Sequence, residues 1–532
     1  MPSPIAILTL LIPVGLGLYT YFLHPLFLSP LSRVPGPPLN SLTKWRLALS
    51  DYRGTRTRTI HSLHQLYGPL VRVGPNEVAF NSLSALKLIF GAGSGFERTA
   101  FYDMFDVYGR KNLFTFRSVR EHAERKKLLA SAYSKSGVLK EGQRCVRGNV
   151  RGYLELVENE GESQGKGKVV ELFSSLHYFS IDSITEFLYG GFGKTACLRG
   201  RDRELLGDIL DVRRRRLSWF AVHLPRVTKW MYSRTGVAEK LAEWFYPMSK
   251  PTTYTGIRVH ALEAWKRFYT AQEKVNVDVE GKGDVNERGD NTIIARLWQH
   301  HEIKKAGGLS DLDIASECAD HLLAGIDTTS DTLLFLIWAL SRPENRMCQD
   351  KLRKEIRAVP ASEFDDNGIP NLEACDKLPY LDAVIKETLR LYAPLPASEP
   401  RSIGKDITID GYLIPTRTVV SMAPYSLHRN SEVFPDPLVF NPERWFGPEQ
   451  QVSEMKKWFW AFSSGGRMCI GLHLAMAEMT ALATALYRKY ATELGEGFEQ
   501  SAPGVTSRFE VFHDDTFENI AEHKCYVRFI PA

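Results

Sequence analysis

The ten residues Phe462-Ser-Ser-Gly-Gly-Arg-Met-Cys-Ile-Gly471 set one cysteine between glycines, beside an arginine, and ahead of an apolar, Ala-rich stretch. That setting suits a thiolate offered to a metal. A helix N-terminus with spare backbone N–H groups stabilises the anion near neutral pH. Gly465 and Gly471 permit backbone conformations, or a close approach, that side chains would block. Arg467 is a fixed cation suited to a nearby carboxylate. A large planar cofactor that carries carboxylates and is held through the sulfur of Cys469 would need this set. A buried, inert cysteine in a capping turn is the alternative.

Two more constellations carry chemistry. Ala324-Gly-Ile-Asp-Thr-Thr-Ser330 places Asp327 and Thr328 side by side in an apolar helical stretch, where both are mediocre helix formers. Ala324 and Thr328 are spaced i, i+4 and share a face, and small residues there leave room for a ligand. A hydroxyl at that place can open the helix ladder and bind water; a threonine bonded back to its own helix is the plainer alternative. In Lys386-Glu-Thr-Leu-Arg390, Glu387 and Arg390 fall on one helix face as an ion pair, and Arg444 follows in Asn441-Pro-Glu-Arg-Trp445.

Phe462, Gly465, Arg467, Cys469 and Gly471 match the haem-binding signature of the cytochrome P450 family, which the chain resembles from about Pro35 to its C-terminus. The resemblance implies a mainly α fold with small β-sheets and haem b with Cys469 as the axial iron ligand. It implies that Arg467 pairs with a haem propionate and that Arg401 reaches a propionate from a strand. His122 and Lys126 stand where the family has a Trp-x-x-x-Arg helix, a departure at both positions. Asp327 and Thr328 look like the oxygen-activation pair, relaying protons. Glu387, Arg390 and Arg444 resemble the structural Glu–Arg–Arg network behind the haem. The implied activity is monooxygenation of an apolar small molecule by O2. Flavin and nicotinamide fingerprints are absent, so electrons from NADPH are expected through a partner, NADPH–cytochrome P450 reductase, with cytochrome b5 as a second donor. Phe105, Tyr108, Phe116, Ala324, Leu395 and Val505 are expected to line the substrate site. Entry sequence and tail look like filamentous-fungal members that tailor terpenoid, polyketide or alkaloid scaffolds. Oxidative coupling, rearrangement or dehydration, and a non-catalytic membrane haem protein, are the alternatives.

Larger elements must position these groups. The chain has 532 residues, 44% hydrophobic and 24% charged, with net charge +5, too mild to argue for nucleic acid. Seven scattered cysteines with no CxxC pair argue against a disulfide framework or a zinc site. Ile5 to Leu23 is uncharged and mostly apolar, near the length that crosses a bilayer. Basic residues follow it from Arg33 on and none precedes it, so a single-pass anchor in the endoplasmic reticulum membrane with a cytosolic domain is expected. A cleaved signal peptide is the rival. This divides the chain into an anchor, 1–32, and a catalytic domain, 33–532. Arg213 to Arg216 before Leu217-Ser-Trp-Phe suits a membrane surface or a charged helix end. Arg125, Lys126 and Lys127 suit an acidic redox partner.

A hairpin is predicted around Gly74-Pro-Asn76, and helices over 118–133, from about Asn291 past Ala339, over Leu372–Leu391, and over Cys469–Tyr490. Short strands are expected near Ile407–Ile409 and Val419–Met422, and β-like alternation from Phe509 to Ile530. Polar, Gly-rich Glu158–Lys168 and Val275–Asp290 read as loops.

Overall fold

The N-terminal stretch is uncharged and mostly apolar, and it forms helix α1 (Pro4–Leu18), which continues as a π-helix to Leu28. The computed structural model describes residues 4–165, 167–245, 255–277, 291–303 and 308–531. Leu11–Leu28 has a mean hydropathy of 1.5 and no buried residue, as befits a segment made for lipid. The Pro-rich exit then docks on the catalytic body: Arg72 donates its Nη1 to the Pro25 carbonyl (2.8 Å) and its backbone N–H to the Pro35 carbonyl (2.7 Å).

Alternating apolar residues build the predicted hairpin, β1 (Leu70–Gly74) and β2 (Glu77–Phe80). The hairpin joins β3 (Glu97–Arg98), β6 (Glu399–Ser402) and β9 (Val419–Met422) in a five-stranded sheet, order β1-β2-β9-β6-β3. Only the β2–β9 pairing in it is parallel. Its register sets Arg98 directly opposite Arg401. β7 (Ile407–Ile409) and β8 (Tyr412–Ile414) form a separate hairpin.

The helices that frame the site are α2 (Val119–Leu129), α3 (Gln143–Glu160), α4 (Leu172–Tyr189), α5 (Arg213–His223), α6 (Ile293–Ile303), α7 (Asp311–Ser341), α8 (Pro379–Leu391) and α9 (Leu472–Lys489). α7 is the central one and packs along α4. Its apolar length would also suit a membrane, but 72% of that stretch is buried in protein, so it is a core helix. Gly325 allows the close approach: a Cβ there would stand 2.6 Å from Cγ1 of Ile184 on α4. The glycine therefore serves helix packing rather than ligand space.

Several expected boundaries differ. Glu158–Lys168 is not a loop. α3 runs to Glu160, and β4 (Glu162–Gln164) and β5 (Gly167–Glu171) extend a sheet of order β10-β14-β5-β4 with β10 (Tyr490–Leu494) and β14 (Tyr526–Pro531). Val169 and Val170 earn the strand by pairing with Arg528 and Val527. The helix from Asn291 is two helices, because Ser310 and Asp313 form a reciprocal capping box that starts α7. The helix from Leu372 breaks likewise: one turn ends at Cys375 and Pro379 opens α8 at N1. Val275 to Val277 close a helix begun at Thr255 rather than opening a loop, and 278–290 lie outside the described residues. The Phe509–Ile530 alternation resolves into β12 (Glu510–Phe512), β13 (Asn519–Glu522) and β14; β11 (Ser501–Ser507) pairs with both β12 and β13.

Candidate active site

The cysteine loop is fixed from both sides. Gly465 sits at φ 63°, and a Cβ there would come within 2.4 Å of the Phe90 carbonyl, so only glycine fits. Gly471 has an ordinary φ; its missing Cβ would be 3.9 Å from the Cys469 sulfur, so the residue keeps space beside that atom. The Cys469 N–H donates to the Phe462 carbonyl (2.9 Å). Cys469 is accessible, yet protein packs all round it. It therefore opens onto an internal space rather than onto bulk water. Burial pushes its thiol up, against the pull of the Gly471 and Leu472 N–H groups and the Lys126 ammonium. A bound metal cation would reverse that balance and hold the sulfur as thiolate.

Behind the loop lies the Glu387 network. Glu387 accepts from Arg390 Nη2 (2.7 Å) and Nε (3.0 Å), Arg444 Nε (3.0 Å), Trp445 Nε1 (3.1 Å) and the Asn441 N–H (3.0 Å). Arg390 Nη1 continues to the carbonyls of His428 (3.1 Å) and Pro437 (2.6 Å). Three groups named from the sequence thus meet in one buried cluster. His428 was missed. Its Nδ1–H donates to the Arg390 carbonyl (3.1 Å), and its Nε2 accepts the Trp460 N–H (2.8 Å). Burial and then Arg390 drive its pKa down to about 3, so it stays neutral in the one tautomer this requires. Trp460 leads directly to the cysteine loop through Ser464 (3.0 Å).

Five basic groups converge beside the loop: Arg98, His122, Lys126, Arg401 and Arg467. Burial, then Arg467, Arg98, Lys126 and Arg401, push His122 down to about 2. Burial, then Arg98 and Arg401, push Arg467 down to about 9. Arg467 donates to the carbonyls of Phe116 (2.8 Å) and Arg117 (2.7 Å), and Lys126 to those of Gly466 (3.1 Å) and Met468 (2.8 Å). Arg401 reaches Tyr102 Oη (2.8 Å) and Glu399 (3.0 Å). Among the described residues, Glu399 is the one carboxylate in ion-pair contact with any of the five. The Nε atoms of Arg98 and Arg467 are buried and unpartnered. Such a basin asks for anionic carboxylates from a ligand. Arg98 was not foreseen, because a lone Glu97-Arg98 carries no motif; its cross-strand pairing with Arg401 reveals it.

From Ile314 on, α7 is buried almost throughout, except that Asp320, Leu323, Ala324, Gly325, Asp327 and Thr328 are accessible at its middle. α9 shows the same break: Gly471–His473 and Ala475–Ala477 are accessible, while Glu478–Tyr487 is buried. Thr329 clamps the two helices by donating to Glu478 (3.1 Å), an acid that burial raises to about 8. The two accessible stripes flank this contact. Thr328 Oγ1 donates to the Ala324 carbonyl (2.7 Å), so at rest it is bonded back to its helix. Asp327 makes no direct bond to Thr328. It faces His177 Nε2 (3.7 Å) on α4 and Arg214 Nη1 (3.6 Å) on α5.

Other expected positions are corrected. Arg213 pairs with Asp211, Arg214 is buried against Asp327 and Arg215 pairs with Glu522, while Arg216 is exposed. Arg125 is buried against Glu317 and faces no partner; only Lys127 of that trio is fully exposed. Val505 is 1% exposed and is core, packed where β11 meets β12. Phe116 offers its carbonyl to Arg467 and its ring to Arg125, and it lines an outer cavity of about 430 Å³. Tyr108 ties its loop to the helix over 255–277 through its hydroxyl, 2.5 Å from the Arg258 carbonyl. Phe105 stacks edge-on against Phe101 and Phe114. Ala324 is accessible, and so is Leu395.

An accessible sulfur, an acid-poor basin of cations and a polar stripe on the facing helix fit haem, with its single axial thiolate and two propionates. The comparisons agree. Residues 35–504 match the family described as Cytochrome P450. The chain is 29% identical over 489 residues to cytochrome P450 monooxygenase stcB of Emericella nidulans, covering 91% of this chain and 86% of that one. It is 30% identical over 474 residues to monooxygenase aflV of Aspergillus parasiticus (87% and 85%), and 27% identical over 522 residues to tazI of Aspergillus terreus (95% of each). The chain belongs to the cytochrome P450 family and is by that membership a haem monooxygenase.

Proposed function

We propose that the chain is a membrane-anchored monooxygenase that oxidises an apolar small molecule of fungal secondary metabolism, with residues 1–32 as anchor and 33–532 as catalytic domain. Cys469 would hold the haem iron through its sulfur, with Phe462, Gly465 and Gly471 shaping its loop. Arg98, His122, Lys126, Arg401 and Arg467 would hold the propionates. Bound there, haem supplies an iron centre at which O2 is activated and one of its atoms inserted into substrate. Around it, this chain's residues orient and deliver protons. The Thr328 hydroxyl, now turned to the Ala324 carbonyl, can rotate to hold a water. Asp327 exchanges protons from its position behind it. Phe105, Ala324 and Leu395 present apolar surface to the substrate.

One observation carries this reading: the one exposed cysteine lies beside a basin of five basic groups with a single ion-paired carboxylate, and accessible stretches of α9 and of α7 around Asp327 and Thr328 flank the Thr329–Glu478 contact. The retained acid and alcohol favour oxygen activation over rearrangement or passive haem binding. Electrons would come from NADPH–cytochrome P450 reductase, with cytochrome b5 as a second donor. Exposed Trp230, Val237, Leu241 and Trp244 on the helices Pro225–Tyr232 and Val237–Phe245 support lipid contact beside the anchor, in the endoplasmic reticulum membrane. The test is turnover of candidate metabolites in microsomes with reductase and NADPH. Thr328→Ala should divert electrons to peroxide; unchanged product per NADPH would refute the role given to Thr328.

A further inference from the structure

Three buried polar atoms meet behind Asp327 without a hydrogen-bond partner: Nε2 of His177, Oδ1 of Asp327 and Oδ1 of Asp331. His177 is 1% exposed and Asp331 4%. The imidazole Nε2 lies almost midway between the acids, 3.7 Å from Asp327 and 3.8 Å from Asp331. Asp327 and Asp331 are one helical turn apart on α7, so both reach the same point on α4. The other ring nitrogen is committed, since Nδ1–H donates to the Phe173 carbonyl (2.7 Å). That fixes the ring and leaves Nε2 to exchange a proton with either acid.

We propose that His177 and Asp331 form a proton depot that refills Asp327 during oxygen activation. This rests on the role given above to Asp327. During oxygen activation the ionised Asp327 takes a proton from Nε2 of the protonated His177 and passes it towards Thr328. Nε2 is refilled from the Asp331 hydroxyl, and Asp331 is reprotonated from solvent. One proton moves at each step and no electron does.

The charges around the trio favour this arrangement. Arg214 Nη1 on α5 holds Asp327 at 3.6 Å from its other side. His523, in the turn before β14, stacks on Phe173, which in turn stacks on His177. Arg215 and Glu522 pair one layer further out (2.7 Å). Burial opposes charge on all three groups. For Asp327 that penalty is overcome by His177 and Arg214, which leave it below the usual carboxylate range. For His177 it is overcome by Asp327 and Asp331, which hold it above an ordinary histidine. Asp331, further from Arg214, is raised to about 8 by burial. Near neutral pH the trio thus holds an ionised Asp327, a protonated His177 and a neutral Asp331 carrying the reserve proton.

The test uses the full haem-loaded chain with reductase in lipid vesicles, and it needs no substrate. NADPH-driven O2 consumption is followed against pH, with peroxide released per NADPH as the index of failed proton delivery. Infrared spectra of the resting enzyme report neutral carboxylic acids. Asp331→Asn should delete a neutral-acid band that titrates near pH 8. His177→Gln should slow O2 reduction about tenfold and raise peroxide, a smaller loss than that of a group transferring the proton directly. Both variants should flatten the alkaline limb of the pH profile while haem content stays wild-type. A band surviving in Asp331→Asn, or a wild-type pH profile in His177→Gln, overturns the depot. Asp327→Asn separates the two ideas: if it impairs turnover and His177→Gln does not, only the depot falls. If Asp327→Asn is itself silent, the relay and the depot fall together.

Discussion

At the scale of residues, the account makes Arg98 a partner of the cofactor although no motif marks it. A charge-assisted hydrogen bond contributes ~1.5–3 kcal/mol, so Arg98→Met should weaken haem retention by about 10- to 100-fold, and Arg98→Lys by less. Haem transfer to an apo-globin acceptor would measure this; equal transfer rates would remove Arg98 from the site. His428→Phe should behave differently. It strips a partner from the Arg390 carbonyl and the Trp460 N–H, both buried, at ~1–3 kcal/mol each. Loss of haem-loaded protein on expression, with no change in the reductase interaction, is the expected outcome. The cysteine loop and the Glu387 pair were legible in the sequence because their chemistry needs fixed spacing over a few residues. Arg98, His428, His177 and Asp331 were not, since each acts only through partners that the fold brings from distant segments. Glu478 left a faint signal: an acid inside the Ala-rich run of α9.

At the scale of elements, two contacts decide how the site is held. The first is the packing of α7 on α4 at Gly325. Gly325→Val would drive a side chain into Ile184 and should destabilise by ~1–3 kcal/mol, with partial recovery on adding Ile184→Ala. Chemical denaturation of both variants tests it. The second is the β3–β6 register, which sets Arg98 against Arg401. Like charges directly opposite destabilise a sheet by ~0.2–1 kcal/mol, and a bound anion relieves them. Apo-protein should therefore melt well below haem-loaded protein, and Arg98→Met should narrow the gap by raising the apo melting point. The hairpin of β1 and β2 was legible from alternation around Gly-Pro-Asn. β4 and β5 were missed because 158–168 is polar and Gly-rich, and the strand that pairs β5 into a sheet is β14 near the far end of the chain. The breaks before α7 and α8 were written in Ser310-x-x-Asp313 and Pro379, signals outweighed by the apolar periodicity on either side.

At the scale of the molecule, buried acids give stability a definite pH sense. Glu478 and Asp331 have pKa values raised to about 8, and Asp320 to about 7, in each case chiefly by burial. Unfolded, such acids ionise near pH 4. Between about pH 4 and 8 the folded state therefore binds more protons than the unfolded state, and stability falls as pH rises, by at most ~1.4 kcal/mol per pH unit per group. His177, raised and lost on the alkaline side, adds in the same direction; Asp327, lowered, opposes it only in acid. Melting temperatures should drop from pH 6 to 8, and Glu478→Gln should remove part of that slope. A flat profile would mean these acids are ionised in the folded protein. The overall plan was legible: an apolar N-terminal segment, a mostly helical body and small sheets. For Arg213–Arg216 the sequence shows the charges but not Asp211, Asp327 and Glu522, which pair with the first three of them.

The central claim is a bond from the Cys469 sulfur to haem iron, and the reduced protein under carbon monoxide reports it most directly. The account predicts the red-shifted Soret band of a thiolate-ligated haem for the native chain and its loss in Cys469→Ser. A native chain without that band, or a Cys469→Ser variant that keeps it, would contradict the account.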